Sequence, residues 1–362
     1  MLKDAIPTGL LRRALVVKLR HHGDVLLAAP VFAALKQAAP GCVIDALVYA
    51  DTRPMLEGHP AIDQIHAIDR NWKKLGLFGQ AAAEWRLAAQ LRARRYDLVV
   101  HLTEHRRGAW IARLCGARWA VAPKRAGGFW RDSFSHLYGQ PANARRHMVE
   151  RNLDALRRIG IQPSAADKRV VLVPGAAAEA RVVALLAEHG LAGRGFALLH
   201  MASRWLFKCW PAGHVAALAD ALNARGLAVV LTAAPDAEER ALIAAVVAAA
   251  RTPLIDLSGQ LSLKELAALA GQARLFAGVD SAPMHIAAAM GTPTVAIFGP
   301  SGELEWGPWH APHRVVASDL HPCRPCGIDG CGGGKISECL TTLPVARALA
   351  ACEQLLDGAE RA

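Results

Sequence analysis

The feature that leaves this chain the fewest folds is an alternation of short apolar runs with amphipathic stretches, played through twice. Residues 13–19 (RALVVKL) read as a strand, 25–40 (VLLAAPVFAALKQAAP) as a helix that ends by Pro40, and 42–49 (CVIDALVY) as a second strand. Strands are also expected around 61–68, 96–102 and 119–122, with helices over 81–95, 110–115 and 147–159. The run 162–195 changes character, carrying Pro163, Pro174 and Gly175 and then an Ala-rich stretch, and the interdomain linker is expected within it. A second series starts at 196–200 (FALLH). It continues as helix 214–225, strand 228–232, helix 237–250, a brief strand at 253–255 and helix 263–271. Strands that alternate with helices build parallel sheets covered on both faces. At 362 residues the chain has room for two such domains. The fold class expected is α/β, with two Rossmann-like doubly wound domains and a ligand in the cleft. The divisions expected are 1–170, 171–342 and a final helical segment 343–362.

Residues 271–300 (GQARLFAGVDSAPMHIAAAMGTPTVAIFGP) are the densest piece of this pattern. They read as strand 275–279, a tight turn, a helix of small residues over 284–290, and strand 294–298. Asp280 and Ser281 are N-cap types, and Pro283 suits a first helical turn. A βαβ unit whose first turn ends at a helix start is an anion site as well as a cap, because free N–H groups and the helix dipole converge there. Pattern alone leaves the two roles of Asp280 and Ser281 open.

Charge narrows the partners. The net charge is +11, but residues 1–165 hold 26 Lys and Arg against 13 Asp and Glu, and the remainder is slightly acidic. A basic first half suits an anionic partner such as nucleic acid, a phosphorylated glycolipid or an acidic membrane face. Its plainer reading is Arg-rich solvation of helices such as 81–95. No basic motif interleaved with aromatics and no helix-turn-helix signal is present, which argues against nucleic acid. No apolar run reaches the ~18 residues of a membrane span. The first residues, MLKDAIPTGLLRRALVV, contain no signal-peptide core, so a cytoplasmic location is expected.

Three sets of residues invite chemistry. Asp24 follows the first strand at the carboxyl edge of its sheet, and reads either as a helix cap or as a base for an acceptor hydroxyl. The loop around it has too few glycines for a dinucleotide fingerprint. Lys208 lies in the loop after strand 196–200, on the same sheet edge as Asp280 and Ser281. It is either a surface lysine beside a packed Trp or a cation for a diphosphate leaving group, needing no metal. Cys323, Cys326, Cys331 and Cys339 put four thiols within 17 residues. They read as a zinc site or as ordinary thiols, disulfides being disfavoured in the cytoplasm.

At these residues the chain resembles the ADP-heptose:lipopolysaccharide heptosyltransferases, glycosyltransferase family nine. The matching stretches are GDVLLAAPVFAALK (23–36), YDLVVHLTEHRR (96–107), HMVERNLDALRRIG (147–160), HMASRWLFKCWP (200–211), residues 257–300 and WGPW (306–309). Residues 45–63, DRNWKK (69–74) and the cysteine tail are most similar to the branch called lipopolysaccharide heptosyltransferase III, with the II branch as the alternative. The resemblance implies a GT-B fold whose C-terminal helix crosses back towards the first domain, and inverting heptose transfer from ADP-heptose to the lipopolysaccharide inner core without metal or other cofactor. It implies Asp24 as base, Lys208 on the ADP phosphates with Ser203 beside it, and Asp280 on donor sugar hydroxyls. Ser281, Ala282, Pro283, Met284 and His285 would complete the donor site. For the acidic acceptor, held at the anionic inner face of the inner membrane, it points to Arg20, Arg53, Lys73, Lys74, Arg106, Arg107, Lys124 and Arg125. It does not require the cysteines as zinc ligands. A catalytically silent binding protein is the competing reading, and the presence of Asp24, Lys208 and Asp280 argues against it.

Overall fold

The computed structural model describes residues 4–139 and 145–359. The chain divides into two compact units, Met1–Val173 and Pro174–Ala362.

The first unit runs β1 (Arg13–Val17), α1 (His22–Leu26), α2 (Ala29–Ala38), β2 (Val43–Tyr49), β3 (Ile65–Ile68), α3 (Gly76–Ala93), β4 (Leu98–His101), α4 (Arg107–Cys115), β5 (Trp119–Pro123), α5 (Gly128–Arg131), β6 (His136–Tyr138) and α6 (Met148–Arg158). The second runs α7 (Ala176–Glu188), β7 (Phe196–His200), α8 (Ala212–Ala224), β8 (Ala228–Leu231), α9 (Ala237–Ala249), β9 (Ile255–Asp256), α10 (Leu263–Gln272), β10 (Leu275–Val279), α11 (Ala282–Ala289), β11 (Thr294–Phe298), α12 (Glu303–Trp306), β12 (His313–Ala317), α13 (Glu338–Thr341) and α14 (Val345–Ala359).

The sheet orders are β3-β2-β1-β4-β5-β6 and β12-β11-β10-β7-β8-β9. Renumbered within its own unit, the second order is the first read backwards, so the two halves share one topology. Every strand pair is parallel. The strand order reverses between β1 and β4 in the first unit and between β7 and β10 in the second. Doubly wound sheets bind ligands at the carboxyl ends of strands beside such a reversal.

One local reading needs correction. The single helix expected over 25–40 is two, α1 and α2, joined at Leu27 and Ala28. The run 162–195 also holds the whole of α7, because its Ala-rich stretch keeps Val182, Leu185 and Leu186 at helical spacing for burial. The final helix packs against α8 and β10–β12. Its Ala348, Ala351, Cys352, Leu355 and Leu356 belong to the core of the second unit, beside Leu222 and Val295. Residues 360–362, the end of the segment expected to turn back, lie outside the described residues.

Candidate functional site

In the second unit the strand-order reversal is built by close approach. Gly278 of β10 lies in register with His200 of β7. A Cβ on Gly278 would stand 2.8 Å from the His200 carbonyl oxygen and 2.6 Å from the Phe276 ring. Glycine there lets the two strands reach their carboxyl ends side by side, and each hands over to a loop that carries a charge.

The loop after β7 is pinned at both ends. Met201 and Ala202 are fully buried, and the Ser203 hydroxyl accepts from the Trp205 amide at 3.3 Å. A 3-10 turn over Leu206–Lys208 follows. Ser337 donates to the Phe207 carbonyl at 2.6 Å, and the buried Trp210 indole donates to Leu343 at 3.3 Å. These bonds fix the backbone that carries Lys208. Its Nζ donates to Oδ2 of Asp280, which follows β10, at 2.6 Å. The Asp280 side chain is 8% exposed and that of Lys208 23%. Sequence placed both on one sheet edge with separate tasks; the structure joins them as one ion pair. Lys208 also lines a cavity of about 330 Å³ together with Trp205, Phe207, Ser301 and Trp306.

α11 begins beside this pair. Ser281 is its N-cap residue but makes no capping bond; its hydroxyl donates to the Val279 carbonyl at 3.3 Å. Asp280 is not the cap either. The expected contact run splits in two: Ser281, Ala282 and Pro283 are half-buried, while Met284 and His285 are buried inside the unit.

In the first unit Asp24 sits in the first turn of α1, one turn past β1, with His21 as N-cap residue, so the capping role is not the one it plays. The structure adds residues around it that sequence reasoning missed. Lys18 is 3% exposed, and its Nζ donates to Oδ1 of Asn152 at 2.9 Å. Asn152 in turn donates to the Leu27 carbonyl at 2.9 Å, tying β1 and α6 to the α1–α2 junction. Burial pushes the Lys18 ammonium down to about 8, against the opposing pull of the Asp24 charge. An isolated lysine inside an apolar strand was the available signal.

All the basic acceptor candidates follow carboxyl ends of strands, because every strand of this sheet points the same way. Arg20 follows β1, Arg53 follows β2, Lys73 and Lys74 follow β3, Arg106 and Arg107 follow β4, and Lys124 and Arg125 follow β5. They are not equivalent. Arg53 pairs with Glu57 at 3.4 Å, and Arg107 pairs with Glu84 of α3. Arg125 donates to the Glu104 carbonyl and lies over the Trp130 ring. Partial burial lowers the pKa of His105, and the charges of Arg20, Arg125 and Lys73 lower it further. The charges of Arg20, Arg125 and Lys73, carried by three different loops, thus all bear on one imidazole, a residue that sequence did not single out. Lys124 and Arg125 also line a cavity of about 510 Å³ with Gly127, Gly128 and Arg131.

The four cysteines differ in their surroundings. Cys323, Cys326 and Cys331 are exposed, Cys339 is a buried residue of α13, and Cys331 Sγ accepts from the Glu338 amide at 3.4 Å. Among the described residues no group of three or more His, Cys, Asp or Glu is arranged to hold a metal ion. No helix among them is long and apolar enough to cross a membrane.

With this geometry in hand, comparison with known proteins is informative. The family model described as glycosyltransferase family 9 (heptosyltransferase) matches residues 84–335. Lipopolysaccharide heptosyltransferase 3 of Escherichia coli is 37% identical over 295 residues, 80% of this chain and 84% of that protein. Among solved structures, a glycosyltransferase family 9 protein from Veillonella parvula superposes with a TM-score of 0.84 at 23% identity, covering 98% of this chain and 100% of the other. The E. coli ADP-heptose lipopolysaccharide heptosyltransferase II superposes with a TM-score of 0.76 at 22% identity, covering 96% and 99%. These structural likenesses establish the fold, GT-B with two Rossmann-like units.

Proposed function

The chain belongs to glycosyltransferase family 9, the heptosyltransferases, and we propose that it moves a heptose from ADP-heptose to a heptose hydroxyl of the lipopolysaccharide inner core, in the manner of heptosyltransferase 3. The observation that carries this reading is the Lys208–Asp280 pair at the strand-order reversal of the second unit, beside the start of α11.

The chemistry follows from the side chains. Breaking the bond to the sugar leaves one further negative charge on the diphosphate, so a fixed ammonium and a helix start lower the barrier to departure. Lys208 is the ammonium. Asp280 orients it, and accepts from a donor hydroxyl through its other carboxylate oxygen. Ser203, by holding the 3-10 turn in place, keeps Lys208 at the end of β7. The first unit supplies the base: Asp24 takes the proton of the acceptor hydroxyl as that oxygen bonds to the anomeric carbon. The bond from that carbon to the phosphate oxygen breaks with its electron pair going to ADP. Attack and departure on opposite faces invert the anomeric centre. The residues named supply both a base and a charge stabiliser, so the reading needs no metal.

Arg20, Lys73 and Arg125, which follow the carboxyl ends of three strands of one sheet and whose charges all bear on His105, support an acceptor bearing carboxylates or phosphates. Arg106, Lys74 and Lys124 widen that field; Arg53 and Arg107, already paired to carboxylates, contribute least. We place the enzyme in the cytoplasm, bound peripherally at the inner membrane where such an acceptor is anchored.

The test is ADP release from ADP-heptose with purified truncated core acceptors, before and after treatment with a chelator. Wild-type turnover that survives chelation, absent in Asp24→Ala, is the expected result. An anomeric NMR coupling of the product reports inversion. A wild-type protein that binds ADP-heptose and turns over no core acceptor overturns the proposal.

A further inference from the structure

The first half of α3 is a helix that buries nothing. Of its residues only Leu87 and Leu91, in its last turns, are buried. Ahead of them Leu77 is 87% exposed, Phe78 93% and Trp85 72%, with Leu75 at 56% just before the helix. Phe78 and Trp85 are seven residues apart, so they share one helical stripe, with Leu77 on its flank. Among the described residues of this unit, exposed large apolar side chains are otherwise scarce: besides Leu10, the remaining two are Trp110 of α4 and Phe129 of α5, whose ring centroids lie 4.8 Å apart. The helices α3 and α4 pack together. A soluble surface does not concentrate aromatics in this way without a partner.

Charge identifies the partner. The apolar stripe starts immediately after Lys73 and Lys74, which are exposed, and Arg86 lies exposed beside Trp85. A helix with aromatic and aliphatic residues on one face and lysine or arginine at its margin suits the headgroup layer of an anionic bilayer. A second protein copy would have to bring acidic residues to this rim, whereas the unit itself is strongly basic. The start of α3 also lies at the carboxyl edge of the first sheet, the edge that bears Asp24 and Arg20.

We propose that the exposed face of α3, formed by Leu75, Leu77, Phe78 and Trp85 and rimmed by Lys73 and Lys74, inserts into the headgroup region of an anionic phospholipid bilayer. This rests on the reading of the protein as a transferase for a membrane-anchored acceptor, and names the surface that meets the membrane. Insertion sets the acceptor-binding edge of the first unit at the depth where the sugar of a glycolipid emerges from its lipid anchor.

The experiment uses the full chain and vesicles without glycolipid, either phosphatidylethanolamine and phosphatidylglycerol in equal parts or phosphatidylcholine alone. Wild type is expected to co-sediment with the anionic vesicles and far less with the neutral ones. The triple variant Leu77→Ser, Phe78→Ser, Trp85→Ser loses three inserted side chains and is expected to partition at least about tenfold more weakly. Leu320→Ser, which removes an exposed leucine of the second unit (81% exposed), leaves partition unchanged. Bromine-labelled acyl chains quench tryptophan emission in wild type and quench Trp85→Phe measurably less. Transfer by the triple variant onto a water-soluble, de-acylated core acceptor stays within about twofold of wild type, as for other surface changes. Equal vesicle binding by wild type and the triple variant overturns the proposal, as does a wild type that stays in the supernatant. A dimer in light scattering that the triple variant dissociates reassigns the face to a second copy and overturns it too. Failure of the transferase reading is separate: it shows as no turnover of the soluble acceptor by a protein that still binds vesicles.

Discussion

Replacing Lys208 by methionine separates a working ion pair from an incidental surface contact. The charged atoms meet at 2.6 Å, with Asp280 8% and Lys208 23% exposed. At that separation the attraction is about 6 kcal/mol for an effective dielectric of ~20 and about 1.6 kcal/mol in bulk water. Desolvation of the two ions cancels much of the gross gain, so the net coupling expected is about 1.5–3 kcal/mol, the range for a hydrogen bond with a charged partner. An ordinary exposed pair would give less than about 1 kcal/mol. A double-mutant cycle of Lys208→Met and Asp280→Asn, followed by urea unfolding with tryptophan fluorescence, measures that coupling. Lys208→Met alone is expected to cost about 2–3 kcal/mol, because it leaves a nearly buried carboxylate without its cation. Titration of ADP into the same proteins gives the functional half: Lys208→Met weakens ADP by about tenfold or more, and Asp280→Asn weakens it less because the ammonium remains. A coupling under about 0.5 kcal/mol, or unchanged ADP affinity in Lys208→Met, refutes the reasoning.

The remaining predictions concern the first unit and acid. Asp24→Ala is expected to lower kcat by about 10²–10⁴ while ADP-heptose affinity stays the same, measured by coupled ADP release and calorimetry; a parallel loss of donor binding argues against its role as base. Gly108→Ala would set a methyl 2.0 Å from His101 Nε2. His101 is stacked on Phe134 and flanked by Trp130, so the ring has little room to yield, and thermal melts should show a loss of about 2 kcal/mol or more. Burial lowers His59 and His200 to about 4 and His101 to about 3, so all three fold neutral. The unfolded chain takes up those protons near pH 6.5, so this stability is complete above about that pH and is lost as pH falls towards 4. The slope is about 1.4 kcal/mol per pH unit for each histidine. A melting temperature that does not move between about pH 7 and 5 contradicts it.

Much of the fold was legible because parallel strands buried on both faces write themselves as continuous apolar runs. VVL, LVVH and TVAIF needed no context. Shorter or more polar pieces stayed hidden: β6 spans three residues, and β12 (HRVVA) carries His313 and Arg314 on an edge strand half open to water. Helix α7 stayed unread inside the Ala-rich run, because alanine and glycine suit helix and linker alike. The burial of Val182 and Leu185 that makes it a helix depends on α10 packing against it.

The site divides in the same way. Sequence by itself determined which residues stand at the carboxyl ends of strands, and therefore that Asp24, Lys208, Asp280 and the basic loops share sheet edges. That follows from chain direction, since a parallel sheet sends every strand–helix loop to one side. Only tertiary structure decided who touches whom. Lys208 and Asp280 are 72 residues apart and Lys18 and Asn152 are 134 apart, and both pairs form because strand order, which is not written locally, makes their loops neighbours. It also decided that the apolar residues opening α3 face water while those closing it are buried. Helical spacing fixes which side chains share a stripe; what that stripe meets is set by the elements around it.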